Sequence, residues 1–172
     1  MNSLFIGDSI TEGFPVHELM PGKRIINRGI SGTSSGEILE YLSPQWLEDE
    51  PDAVFVCLGT NDIARGIEDD AILANLSGIV DKVHSLSTKR NLRFYLTSLF
   101  PTRDNAPRPN ERINQLNIKI HRLAEMYQQS YLHLNVFLRD ATNRLEKSFT
   151  DDGLHLNRAG YTLWAKLIES LV

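Results

Sequence analysis

The chain has 172 residues, 41% of them apolar and 23% charged, with a net charge of −4. That length suits one domain, residues 1–172, with a core of its own, and the acidic balance excludes a general nucleic-acid binder, which needs a basic face. A single cysteine excludes an intramolecular disulfide and a multi-cysteine metal site. No stretch approaches the ~20 apolar residues of a membrane span. The first six residues, Met1 to Ile6, carry neither a basic leader nor a long apolar run, so a cytoplasmic protein without a signal peptide is expected.

Taken in chain order, two periodicities alternate. Leu4-Phe5-Ile6 is a short apolar run stopped by Gly7, which reads as a buried strand. A weaker strand spans Arg24 to Asn27 around Ile25 and Ile26 and leads to Gly29 and Gly32. Ser35 to Glu48 places Ile38, Leu39, Leu42, Trp46 and Leu47 at helical spacing, with a break expected at Pro44. Ala53 to Leu58 is the clearest strand, six apolar residues before Gly59. Asp70 to Leu86 carries a well-formed apolar stripe, Ile72, Leu73, Leu76, Ile79, Val80 and Val83, and predicts a helix. A fourth strand runs from Leu92 to Leu99, and a helix from Glu111 to Tyr127 starts near Pro109. Tyr131 to Phe137 alternates and suits a strand nearer an edge. Arg158 to Leu171 forms the last helix, capped by Asn157. Strands alternating with helices imply βαβ units, hence a five-stranded parallel sheet in a three-layer α/β/α domain.

In such sheets ligands sit outside the carboxyl ends of the strands, and the polar clusters of this chain fall there. They are Gly7-Asp8-Ser9-Ile10-Thr11, Asn27-Arg28-Gly29-Ile30-Ser31-Gly32, Gly59-Thr60-Asn61-Asp62 and, before the last helix, Asp151-Asp152-Gly153-Leu154-His155. Together they can supply what acyl transfer needs: a nucleophile, a base, a group that orients the base, and oxyanion donors. Ser9 is the candidate nucleophile, although a serine after Gly-Asp equally suits a helix cap. His155 is the candidate base, because a carboxylate stands three residues before it. Asp152 or Asp151 could orient the ring. His84 and His121 lie in helices, His133 in a strand and His17 in a surface loop. The backbone of Ser9 and of Gly32 and the side chain of Asn61 are candidate oxyanion donors, each of which would read singly as an ordinary turn residue. Asp8 and Asp62 read as braces of their turns, and Cys57 as an inert core thiol. The loop from Phe100 to Pro109 should border the same rim, with Phe100 and Arg103 shaping the substrate side; Arg65 has a comparable standing.

These four clusters, in this order and spacing, resemble the four blocks of the SGNH hydrolases of the GDSL lipase/esterase superfamily, with Ile10 where the family name has leucine. The resemblance covers nearly the whole chain. The compact chain and the Asn27 to Gly32 segment look most like the platelet-activating-factor acetylhydrolase-like bacterial subgroup. It implies a flavodoxin-like sheet of order 2-1-3-4-5, Ser9, Asp152 and His155 as a catalytic triad, and an oxyanion hole of Ser9, Gly32 and Asn61. It also implies no metal and no organic cofactor, a small-molecule ester as substrate, and a homodimer as one assembly open to the subgroup. No long insertion or extra apolar helix offers a lid, which favours short acyl groups, acetyl to butyryl. A carbohydrate O-deacetylase or a thioesterase would use the same triad. A flavodoxin-like binding module without catalysis is the rival from another class, and the complete set Ser9, Asp152 and His155 speaks against it.

Overall fold

The computed structural model describes residues 1–172. Five parallel strands form the sheet: β1 (Asn2–Gly7), β2 (Arg24–Gly29), β3 (Ala53–Cys57), β4 (Arg93–Thr97) and β5 (Ser130–Leu132), in the order β2-β1-β3-β4-β5. The helices are α1 (Ser9–Glu12), α2 (Val16–Leu19), α3 (Ser35–Tyr41), α4 (Thr60–Ala64), α5 (Asp69–Leu86), α6 (Asn110–Met126) and α7 (Arg158–Ile168). No helix is long and apolar enough to cross a membrane.

The strands read as continuous apolar runs because both faces are covered. Leu4, Ile6, Val54, Val56, Phe94 and Leu96 point to one face, where α3, α5 and α6 lay down aliphatic side chains such as Ile38, Leu76 and Ile113. The opposite face is aromatic. Phe5, Phe55 and Tyr95 stack in register across β1, β3 and β4 with ring centroids 4.7 and 4.6 Å apart. Above them α1, α2 and α7 contribute Ile10, Val16, Tyr161 and Trp164, with Phe14 stacked on Trp164 at 4.5 Å.

Two expected elements are shorter than their patterns. The helix over 35–48 ends at Tyr41, and after Leu42 and Ser43 a 3-10 turn covers Pro44–Leu47. Pro44 supplies the break, since its ring and missing N–H cannot continue the helix. The strand over 131–137 ends at Leu132, and Leu134–Phe137 is a 3-10 turn. Here Ser98 is responsible: its N–H donates to the Leu132 carbonyl, whereas its hydroxyl accepts from the Asn135 N–H and draws the chain out of the ladder. The buried Asn135 amide then donates to the Leu99 carbonyl.

Candidate active site

Ser9 opens α1 at the carboxyl end of β1. Asp8 caps that helix, its carboxylate accepting from the Ile10 N–H at 3.0 Å. The helix is pinned from below by the Tyr161 hydroxyl, which donates to the Ile10 carbonyl at 2.8 Å, and from the side by the Asn27 amide, which donates to the Thr11 carbonyl. Ser9 Oγ thereby stands 2.9 Å from His155 Nε2, across 146 residues of chain. His155 Nδ1 lies 2.6 Å from Asp152 Oδ2. A carboxylate partner requires the proton on Nδ1, which leaves Nε2 to accept from the serine hydroxyl. Asp152, not Asp151, therefore meets the ring.

Asp152 is held by more than the ring. Its other oxygen accepts from the Leu154 and His155 backbone N–H groups, each at 2.8 Å. Burial would push this carboxyl up, but the His155 ring and those two N–H groups outweigh it and hold it at about 2. Gly153 makes the turn possible. Its φ is +83°, and a Cβ there would sit 2.1 Å from the Arg103 carbonyl oxygen. Arg103 N–H donates back to the Gly153 carbonyl at 2.7 Å, which seams the loop after β4 to the His155 loop.

Asn61, in α4, is 8% exposed. Its Nδ2 donates to the Thr33 carbonyl at 2.9 Å, and its Oδ1 accepts from Arg108 Nη2 at 2.9 Å. Gly32 lies one residue before Thr33, exposed, at φ +77°. Neither the Ser9 nor the Gly32 backbone N–H is bonded to another protein group. Asp62, fully buried, accepts from both the backbone N–H and the hydroxyl of Ser35 and locks α4 to the start of α3. Asp8 is buried as well. Burial pushes its carboxyl up to about 6, against the pull of the Ile10 N–H and of the nearby His155 and Arg108. Cys57 faces the interior, where burial and the nearby Asp8 push its thiol well up.

The two loop residues expected on the substrate side part company: Phe100 lies in the core, and Arg103 lines a cavity beside Asp152. Phe100 is 2% exposed and sets its edge against Trp164 in the aromatic core, the natural place for a ring following a buried strand. The Arg103 guanidinium pairs with Asp140, its Nε donating to the Leu145 carbonyl. Arg103 also borders a polar cavity of about 220 Å³ beside Asp152, lined with Lys147, Thr150 and the Asp151-Asp152-Gly153 turn and by no apolar side chain. The residue that this loop sends to the site is Arg108, whose Nε also donates to the Thr60 carbonyl. Sequence spacing carries no signal for it, since its partner is 47 residues away. No group of three or more His, Cys, Asp or Glu side chains is placed to hold a metal ion.

A family model, the GDSL-like lipase/acylhydrolase family, matches residues 5–163. A Streptococcus pneumonia protein described as a platelet activating factor is 34% identical and superposes with a TM-score of 0.88, over 99% of this chain and 83% of its own. An acetylxylan esterase of Geobacillus stearothermophilus shares the fold at 20% identity and a TM-score of 0.75, over 98% of this chain and 92% of its own. An N-acylneuraminate cytidylyltransferase of Escherichia coli is 30% identical over 149 residues, which are 85% of this chain but 34% of that protein. The chain thus spans about a third of the length of that curated relative. It belongs to the GDSL-like lipase/acylhydrolase family.

Proposed function

We propose that the chain hydrolyses short-chain esters, acetyl to butyryl, through an acyl-enzyme on Ser9. The reading rests on one observation: the unbroken hydrogen-bonded line from Ser9 Oγ through both nitrogens of His155 to Asp152, with links of 2.9 and 2.6 Å. In the first half of the cycle Ser9 Oγ attacks the ester carbonyl and its proton passes to His155 Nε2. Asp152, ionised throughout the neutral range, stabilises the imidazolium that results. The tetrahedral oxyanion is held by the N–H groups of Ser9 and Gly32 and by the second Nδ2 hydrogen of Asn61. Collapse expels the alcohol, which takes the proton from His155 and leaves the acyl group on Ser9. Water then repeats the sequence, releasing the carboxylic acid and restoring the serine.

A second reading, O-deacetylation of a sugar, is favoured by the walls beside the triad. The cavity next to Asp152 has only polar and charged lining, which suits a hydroxyl-rich alcohol better than an acyl tail. The roomier apolar groove, about 390 Å³ between α5 and α6, touches none of the proposed site residues. The relative at 30% identity is named for an acylated sugar, which agrees with that reading.

Hydrolysis of p-nitrophenyl acetate, butyrate and octanoate by the wild type and by Ser9→Ala tests the proposal. Turnover of acetate and butyrate that disappears with Ser9 is the expected result. An optimum at octanoate would overturn the short-chain reading. Acetate release from an O-acetylated monosaccharide, faster than from p-nitrophenyl acetate at equal concentration, would select the sugar reading.

A further inference from the structure

Two arginines outside the four motif blocks sit behind the proposed oxyanion donors. Arg108 reaches Asn61 Oδ1 with Nη2 at 2.9 Å and the adjoining Thr60 carbonyl with Nε at 3.1 Å. Arg65 reaches the Gly32 carbonyl with Nη2 at 2.7 Å. A guanidinium only donates and a carbonyl only accepts, so a single orientation of the Asn61 amide satisfies both of its neighbours: oxygen toward Arg108, nitrogen toward the Thr33 carbonyl. The flipped amide would lose both bonds and face like against like. The remaining Nδ2–H is thereby aimed by its surroundings before any substrate arrives.

The two arginines differ in charge environment. Arg65 is half exposed and paired with Glu37 at 2.8 Å, and Glu37 is itself fixed in the capping box of α3 by Ser34. Its charge is largely neutralised, and what it contributes is the pose of the Gly32–Thr33 peptide. Arg108 makes no ion pair: its side-chain bonds go to the Thr60 carbonyl and the Asn61 amide oxygen. Its unbalanced charge reaches Asp8, beside Ser9, whose carboxyl it pulls down. A charge-assisted bond to Oδ1 also polarises the amide and makes Nδ2–H a better donor.

We propose that Arg108 is a positioning residue for the oxyanion hole, orienting and polarising Asn61, while Arg65 braces the Gly32 side of the same hole as a lesser partner. The inference rests on the assignment of Asn61 and Gly32 as oxyanion donors made above. Its signature is an effect on kcat rather than KM, because charge develops on the oxygen only on the way to the transition state.

The test measures kcat and KM on p-nitrophenyl acetate, the melting temperature, and the rate at which a fluorophosphonate labels Ser9, in wild type, Arg108→Met, Arg108→Lys and Arg65→Met. Expected is a roughly 10- to 100-fold loss of kcat in Arg108→Met with KM held within about threefold. Labelling should slow in parallel, and millimolar guanidinium should restore part of the rate. Arg108→Lys keeps the charge without the fork and should fall between, and Arg65→Met should lose only a few-fold. A kcat in Arg108→Met within about twofold of wild type would overturn the inference. So would a loss that follows the melting temperature and is not rescued by guanidinium. Labelling and turnover that persist in Ser9→Ala would instead bring down the underlying site assignment along with it.

Discussion

His155 and Asp152 hang on the loop before α7 with side chains 45% and 52% exposed, whereas Asn61 on the other side of Ser9 is 8% exposed with both ends of its amide bonded. In the proposed cycle the first pair handles protons, which must arrive, leave and change owners within one turnover. The second group does a task that is better the less it moves, since a donor already aimed at the developing charge needs no reorganisation. One half of the site is therefore open and carried by a turn, and the other is closed and packed between helices. The difference predicts that damage on the open side will appear in rate alone, while damage on the closed side will appear in rate and stability together.

Asp152→Asn should break the open half most sharply. Nδ1 loses the partner that fixes its tautomer, and kcat is expected to fall on the order of 10³- to 10⁴-fold, with a melting temperature close to wild type. Asn61→Ala sharpens the contrast: a kcat loss on the order of 10²- to 10³-fold should come with a stability loss of about 1–3 kcal/mol, because Arg108 Nη2 and the Thr33 carbonyl lose their partner. Denaturant titration beside steady-state kinetics separates the two signatures.

Asp8→Asn tests a buried charge on the closed side. With its folded pKa raised to about 6, Asp8 favours the folded state fully below its unfolded value near 4, and that contribution is lost as pH rises through 6. Above that, ionised Asp8 opposes folding by something on the order of 3 kcal/mol. The asparagine can still accept from the Ile10 N–H, so the variant should be more stable than wild type at pH 8 and no more stable near pH 4. Gly153→Ala is expected to cost about 2 kcal/mol of stability, from the left-handed φ and the crowded Arg103 carbonyl. Because the turn carries His155, kcat should drop as well, the one point where the open half depends on packing.

The sheet and its long helices were legible because burial on both faces writes apolar runs of strand length between helical stripes. That Ser9 and His155 come together was legible too, each standing beside a strand end or a helix start. What could not be read is long-range. Phe100 follows β4 as a rim residue would, yet the aromatic side of the core claims its ring. Arg103 and Arg108 stand five positions apart in one proline-rich loop, and nothing local says that Asp140 takes the former and Asn61 the latter. The alternation of Leu132, Leu134 and Val136 predicts a strand to Phe137, but the Ser98 hydroxyl bends the chain away after Leu132. The short helices α1, α2 and α4 have too few residues to show a period.

The separation of 146 positions between Ser9 and His155 also bears on when activity appears. The proposed nucleophile lies just past the first strand, and its proposed base is placed only when α7 docks, with the Tyr161 hydroxyl on the Ile10 carbonyl and Trp164 on Phe14. Contacts that close so long a loop are late to form during folding. A chain emerging amino end first carries a serine with no means of activating it until residue 155 has left the ribosome. In refolding, recovery of esterase turnover should therefore trail the recovery of helical and sheet signal, and the assay becomes a clock for the last docking step.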